Sequence, residues 1–234
     1  MAWESRQFNT KAIILSRTDY GEADRIITFI TPLHGKVKAV AKGVRKAGAK
    51  LAGALELFSI TDLTLVAGRG EMHTITSARL SEHFGYIVKD ISRTNAAYEH
   101  MRILNRATEE KTDEAYFELL EKTLSAINDS AIPPEHTDLW FKLQLLKLGG
   151  HSPNLKTDSE GRSLSAESKY NFDLERMCFV ADSDGEFGPE PIKYIRIGLA
   201  AAAPRIMHRV KDSKKQLAAV QPLVQSMLTN FVRV

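Results

Sequence analysis

Over the first eighty residues, apolar positions come in short runs broken by turn residues. Thr10 to Ser16 holds Ala12, Ile13, Ile14 and Leu15 in succession. Asp19-Tyr20-Gly21 is a turn signal. Arg25 to Thr31, RIITFIT, is rich in β-branched residues and stops at Pro32. Gly35 to Ala41 alternates, which predicts a strand with Lys36 and Lys38 on one face. Gly43 to Gly53 is small and basic, and reads as a flexible loop that packs nothing. Leu55 to Val66 is long and mostly apolar, Gly68-Arg69-Gly70 reads as a turn, and Met72 to Ala78 follows as a strand. Five short strands with one long connection after the third predict a small closed barrel of the OB type, although an SH3-like barrel gives similar signals.

From about Leu80 the period changes to that of helices. Phe84 to Arg106 places Ala97, Met101 and Leu104 at helical spacing, with Ser92 or Thr94 as caps. Asp113 caps an amphipathic helix whose apolar face is Phe117, Leu120, Leu124 and Ile127. Pro133-Pro134 opens another helix, closed by Gly149-Gly150, in which Trp140, Phe141, Leu145 and Leu148 read as core. Residues 151–188 are polar and loop-rich, with a short hairpin in YNFDLERMCFVA. Pro189 and Pro191 start a further helix that ends before Pro204. Ser213 to Phe231 is the last, with Leu217, Val220, Val224, Leu228 and Phe231 as its stripe and Pro222 inside it. The expected class is α+β: a barrel domain over residues 1–80 and a helical domain over 81–234, with a loop-rich insertion at about 151–188.

The distribution of charge adds a functional reading. Residues 1–53 carry ten bases and four acids, net +6. Residues 54–192 carry fourteen bases and twenty-four acids, net −10, and residues 193–234 carry eight bases and one acid, net +7. Basic ends around an acidic middle suggest a polyanion-binding surface built from the termini. The densest segment is His34 to Lys50, HGKVKAVAKGVRKAGAK, with six Lys or Arg side chains and no acid. Phosphate backbone is the commonest polyanion such a cluster attracts. The plainer reading is an edge strand whose solvated lysines block aggregation.

Several classes are set aside. The single cysteine, Cys178, allows no internal disulfide and no multi-cysteine zinc site. The run MAWESRQFNTKAIILS lacks the pattern of a signal peptide, and no stretch has the ~20 apolar residues of a membrane helix. A cytoplasmic protein without membrane contact is expected. Gly68-Arg69-Gly70 lies between strands and is no dinucleotide fingerprint. The histidines are scattered; His83, His100 and His136 have no second ligand one helical turn on. The acids Glu109, Glu110, Asp113 and Glu114 read as helix-start and surface groups. No catalytic constellation emerges, which favours a binding protein with no cofactor.

The segment TKAIILSRTDYGEADRIITFITPLHGKVKAVAKGVRK resembles the N-terminal segment of the bacterial recombination mediator family RecO. That family shows an apolar first strand, a Y-G-E-x-D-R/K turn, a T-x-x-x-G-K strand entry and a K-G-V/A-R-K/R strand end. The corresponding residues are Tyr20 to Arg25, Thr31 to Lys36, and Lys42 to Lys46. A weaker likeness, LLKLGGHSPNL over Leu145 to Leu155, is similar to the family's L-G-x-x-P-x-L segment. The resemblance implies an OB barrel, a helical middle and a role in DNA repair without catalysis. It implies binding of single- and double-stranded DNA, annealing of complementary strands, and partnership with RecR and the C-terminal tail of single-strand-binding protein so that RecA loads. Many family members carry a four-cysteine zinc site after L-G-x-x-P-x-L. Here Lys156 to Gly161 stand there instead, so the insertion is expected to be a degenerate, zinc-free version.

The candidate nucleic-acid contacts are therefore Lys36, Lys38, Lys42, Arg45, Lys46, Lys50, Tyr20 and Arg25. Holding a strand without reading bases needs phosphate contacts and a few stacking rings. Tyr20, beside Gly21, is the stacking candidate; Phe29 reads as core. Asp24 and Arg25 fit equally well as a structural pair. A second basic cluster, Arg205, Arg209, Lys211, Lys214 and Lys215, opposed only by Asp212, is a candidate dock for an acidic partner tail or a further nucleic-acid contact. It also fits a purely structural role against the acidic middle segment. Two other classes stay open: an RNA-binding barrel protein, and an interaction scaffold in which the helical half does the work.

Overall fold

The structure is a computed structural model that describes residues 7–68 and 72–232. Five strands close a barrel: β1 (Gln7–Tyr20), β2 (Asp24–Thr31), β3 (Gly35–Ala41), β4 (Ser59–Val66) and β5 (Met72–His83). Their order is β1-β2-β3-β5-β4, with β4 returning to β1 and β3 running parallel to β5. This connectivity is that of an OB barrel. The predicted turn Gly68-Arg69-Gly70 lies partly outside the described residues.

Alternation builds the interior. Ala12, Ile14, Ile27, Phe29, Val37, Ala39, Leu63, Leu65 and Ile75 meet in one buried cluster. Lys36 and Lys38 point the other way, as the pleat requires. Ile13 and Ile30, paired across β1 and β2, are buried outside that cluster. The helices α1 (Ile91–Ala107) and α2 (Glu114–Asn128) pack there, on β1 and β2. Burial on both faces is why the run from Ala12 to Leu15 is continuously apolar. Strands β1 and β5 extend well beyond the apolar runs that predicted them, whereas β4 begins four residues later than Leu55.

The segment after β3 corrects an expectation. It is a chain of hydrogen-bonded turns ending in a 3₁₀ turn at Ala52–Ala54, and it does pack. Val44 and Leu55 are buried in the barrel cluster, with Leu51 and Ala52 against it. The cap of α1 is likewise neither Ser92 nor Thr94. Asp90 accepts from the N–H groups of Ser92 and Arg93, as a carboxylate at the N-terminus of a helix does well. Asp113 takes the role expected of it, accepting from Ala115 N–H.

The chain forms two compact units, residues 1–128 and 129–234. The expected division at residues 80 and 81 follows the change of secondary structure. Packing divides later, because α1 and α2 cover the barrel.

The second unit contains α3 (Pro134–Leu148), α4 (Pro189–Ala200), α5 (Arg205–His208) and α6 (Ser213–Phe231), with Pro222 inside α6. Between α3 and α4 lies a three-stranded sheet of β6 (Asn154–Asp158), β7 (Tyr170–Asp173) and β8 (Cys178–Ala181), in the order β6-β8-β7. The hairpin is the one expected from sequence; β6 is an addition. Phe179 is fully buried at its centre, edge-on to Tyr170, Phe172 and Phe187. Where the resemblance implies cysteines in other family members, Asp158 closes the turn. Its carboxylate accepts from Glu160 N–H, Arg162 N–H and the Arg162 guanidinium, each at 2.9 Å. Burial opposes its ionisation, but those hydrogen bonds outweigh burial and hold the carboxyl below the usual aspartate range. Cys178 is a free, buried thiol.

Candidate nucleic-acid interface

The two motifs separated by some twenty residues in sequence turn out to be joined in space. Asp24, opening β2, accepts from Gly43 N–H at 2.7 Å. Arg45 N–H donates to Ala23 O at 2.9 Å, and its guanidinium to Gly21 O at 3.4 Å. Gly43 takes a φ of +65°, which aims its N–H at the carboxylate and suits glycine. The loop after β3 is thereby fastened to the β1–β2 hairpin.

Arg25 pairs with Asp19, its cross-strand neighbour, at 2.9 Å, and Arg45 approaches the same carboxylate at 3.5 Å. The hydrogen bond from Arg25, with the nearby guanidinium charges, lowers the Asp19 pKa against the opposing effect of burial. The suggested Asp24–Arg25 pair is not formed: Arg25 serves Asp19, and Asp24 serves the loop. Both arginines thus have structural employment at the hairpin.

Lys36 is the clearest departure from the expected cluster. It is half-buried, and its amine donates to the carbonyls of Asn105 and Thr108 at the C-terminal end of α1. Those carbonyls have no intrahelical donors, and a cation also suits that end of the helix. Burial, then the charge of Lys38, holds its pKa below the usual lysine range, with Glu110 and Glu109 pulling the other way. Its backbone N–H donates to Glu110 O at 3.0 Å. Gly35, at φ +62°, permits that approach, since a Cβ there would lie 2.2 Å from the same oxygen.

Lys38, Lys42, Lys46 and Lys50 are exposed and form no ion pair with any described residue. Lys42, Lys46 and Lys50 belong to the fastened loop, and Lys38 lies on the outer face of β3, roughly 13 Å of extended chain from Lys42. Tyr20 is the last residue of β1 rather than part of the turn, and is 55% exposed beside the hairpin. Phe29 is fully buried in the barrel, as expected.

A further cluster escaped the sequence reading. Phe8, His34 and His73 come together beside Lys36 and Lys38 at the opening of β3. No spacing in the sequence links these positions; only closure of the barrel joins the start of β1, the β2–β3 turn and the start of β5.

In the second unit, Arg205 is ion-paired with Asp129. Arg209, Lys211, Lys214 and Lys215 are exposed and unpaired among the described residues. Lys214 and Lys215 occupy the first turn of α6, which contains no acid. Cations at that end oppose the helix dipole.

Among the described residues no helix is long and apolar enough to cross a membrane, and no group of three or more metal-ligating side chains gathers.

Comparison with known proteins agrees with this architecture. The family description "Recombination protein O N terminal" matches residues 3–84, and "Recombination protein O C terminal" matches residues 88–232. A DNA repair protein RecO of Roseiflexus sp. (strain RS-1) is 38% identical over 151 residues, 64% of this chain and 52% of that protein. One from Gloeobacter violaceus is 34% identical over 231 residues, 96% of this chain and 79% of its own length. One from Nocardioides sp. is 28% identical over 225 residues, 91% and 92% of the two chains. With several of the most similar relatives the match spans between about half and three-fifths of their length. The chain belongs to the recombination protein O family of DNA repair proteins.

Proposed function

We propose that this member of the recombination protein O family is a non-catalytic, cytoplasmic recombination mediator. It binds single- and double-stranded DNA, anneals complementary strands and, with RecR, assists RecA loading. The observation that carries the reading is the loop after β3: Lys42, Lys46 and Lys50 are exposed, without an ion pair among the described residues, on a segment fastened to the hairpin that presents Tyr20. Held cations with a ring nearby suit a backbone gripped without base reading. A cationic surface also lowers the repulsion between two phosphate backbones, so annealing needs no ATP. Lys38 extends this surface along β3, while Lys36, Arg25 and Arg45 serve mainly to hold it in place.

The test is a gel-shift and annealing assay with single-stranded DNA, duplex DNA and RNA in parallel. Binding and annealing of DNA are expected. Replacing Lys42, Lys46 and Lys50 by alanine should weaken binding on all sequences and flatten the salt dependence by roughly 0.7–0.9 log units for each phosphate no longer neutralised. Preference for RNA would move the chain to an RNA-binding role, and no binding at low salt would make it a scaffold.

The basic cluster of the second unit is proposed to dock the acidic C-terminal tail of single-strand-binding protein. Support comes from Arg209, Lys211, Lys214 and Lys215, which lack ion-pair partners among the described residues; Lys214 and Lys215 lie in the first turn of α6, where cations oppose the dipole and only Asp212, at the N-cap, stands against them. Arg205, held by Asp129, is left out of this dock. Charge reversal at Arg209 and Lys215 should abolish binding of an acidic peptide, leaving the melting temperature and direct DNA binding nearly unchanged.

A further inference from the structure

At the opening of β3 the Phe8 ring lies between two imidazoles. Its centroid is 4.4 Å from that of His34, tilted at 49°, and 5.4 Å from that of His73, edge-on at 85°. The rings border a cavity of about 290 Å³, whose walls also include Lys38 and Lys111. Glu110 is the one acid among the described residues lining it. That volume falls at the small end for ligand sites, so it admits a single ring system and no duplex. His34, Lys38 and Lys111 are exposed, while Phe8 and His73 are half-buried. Neither lysine is ion-paired to a described residue. Burial, reinforced by the nearby His34, keeps the His73 pKa below the usual histidine range. At neutral pH it is therefore an uncharged ring.

We propose that this cavity takes one unpaired base of a nucleic-acid strand, stacked on the Phe8–His34 pair, with the adjoining phosphate between Lys38 and Lys111. The inference rests on the reading of the barrel as a nucleic-acid-binding surface, and adds a source of discrimination to it. Lysines that contact phosphate serve single strand and duplex alike. A concave site walled by rings accepts only a base that has left its own stack, because a paired base has both faces occupied. The pocket thus favours single strands, while the Lys42–Lys50 loop holds either form. Lys36 contributes wall rather than a phosphate contact, since its amine is spent on the end of α1.

The test compares the affinity of the whole protein for a short single strand, an abasic strand of the same length, and a duplex. The variants are His34→Ala, on an exposed side chain, and Phe8→Leu, which keeps an apolar group against the barrel core. The parent should prefer the base-bearing strand to the abasic one roughly tenfold, the order expected from one base–ring stack. Each variant should erase that preference and leave duplex affinity and the salt slope as they were. A 2-aminopurine placed in the strand should be quenched by the parent and much less by His34→Ala. Equal binding of the two strands by the parent, or full preference retained by both variants, overturns the pocket while leaving the Lys42–Lys50 surface standing. Failure of the parent to bind any nucleic acid overturns both.

Discussion

Lys36 and Lys42 stand six residues apart in one basic run, yet the structure sets them different tasks. Replacing Lys36 by Met removes two hydrogen bonds from an amine to the carbonyls of Asn105 and Thr108 and strands those carbonyls under the remaining stem. Hydrogen bonds from a charged donor contribute about 1.5–3 kcal/mol each, and the favourable position at the end of α1 adds about 0.3–1 kcal/mol. Part is regained, because a Met side chain buries well and the lysine no longer has to be desolvated. A net loss of about 3 kcal/mol is reasonable for a unit of 128 residues, equivalent to about 10 °C in melting temperature. The matched control, Lys42→Met with Lys46→Met, removes exposed charges and should melt within about 2 °C of the parent. Below the melting transition the affinities should reverse the order. The double variant binds single-stranded DNA more weakly, with a salt slope reduced by about 1.4 log units if each lysine neutralises one phosphate. Lys36→Met keeps the slope. Thermal unfolding followed by circular dichroism, together with binding titrations at several salt concentrations, reads both quantities. A Lys36→Met protein that melts like its parent but binds DNA with a reduced slope would falsify the structural role of this lysine.

Gly35→Ala should destabilise the barrel more than an ordinary surface change, because φ is +62° and the new methyl would meet Glu110 O; chemical denaturation that shows no loss refutes that close approach. His136 is fully buried against His208, with no hydrogen-bond partner for either ring nitrogen among the described residues. Burial is the first cause that lowers its pKa; His208 and Lys214 add to it and Glu135 opposes. The folded state then resists protonation, so stability is intact above an unfolded value near 6.5 and falls as pH drops below it. His136→Leu should flatten that part of the stability–pH profile, and an unchanged profile would place the titration elsewhere. Protein purified without chelator should carry no stoichiometric zinc, since one buried cysteine offers no closed site; metal found at one per chain and lost with folding on chelation would refute this.

Much of the fold was legible in sequence because its signals are local. Alternation along Gly35–Ala41, the β-branched run of β2 and the aspartate before α2 each report on a few neighbouring residues, and the structure keeps them. The basic stretch and the exposure of Lys38, Lys42, Lys46 and Lys50 were likewise readable, since a charged side chain with no acid nearby in sequence prefers water. What sequence left open depends on residues distant along the chain. Lys36 looked like its neighbours, but α1 ends above it and gives its amine two carbonyls about seventy residues away. Arg45 joined the candidate contacts as a free cation, and Arg25 either as one or as a partner of Asp24, whereas the hairpin brings Asp19 to both. The loop after β3 looked unpacked, yet barrel closure gives Val44 and Leu55 a core to enter. Phe8, His34 and His73 meet only because β1, the β2–β3 turn and β5 converge at one opening. Composition and periodicity determine which side chains prefer water and which strands can form. Which cation is spent on a carbonyl and which is left for a phosphate is decided by tertiary proximity, because a half-buried amine must find a partner and an exposed one need not.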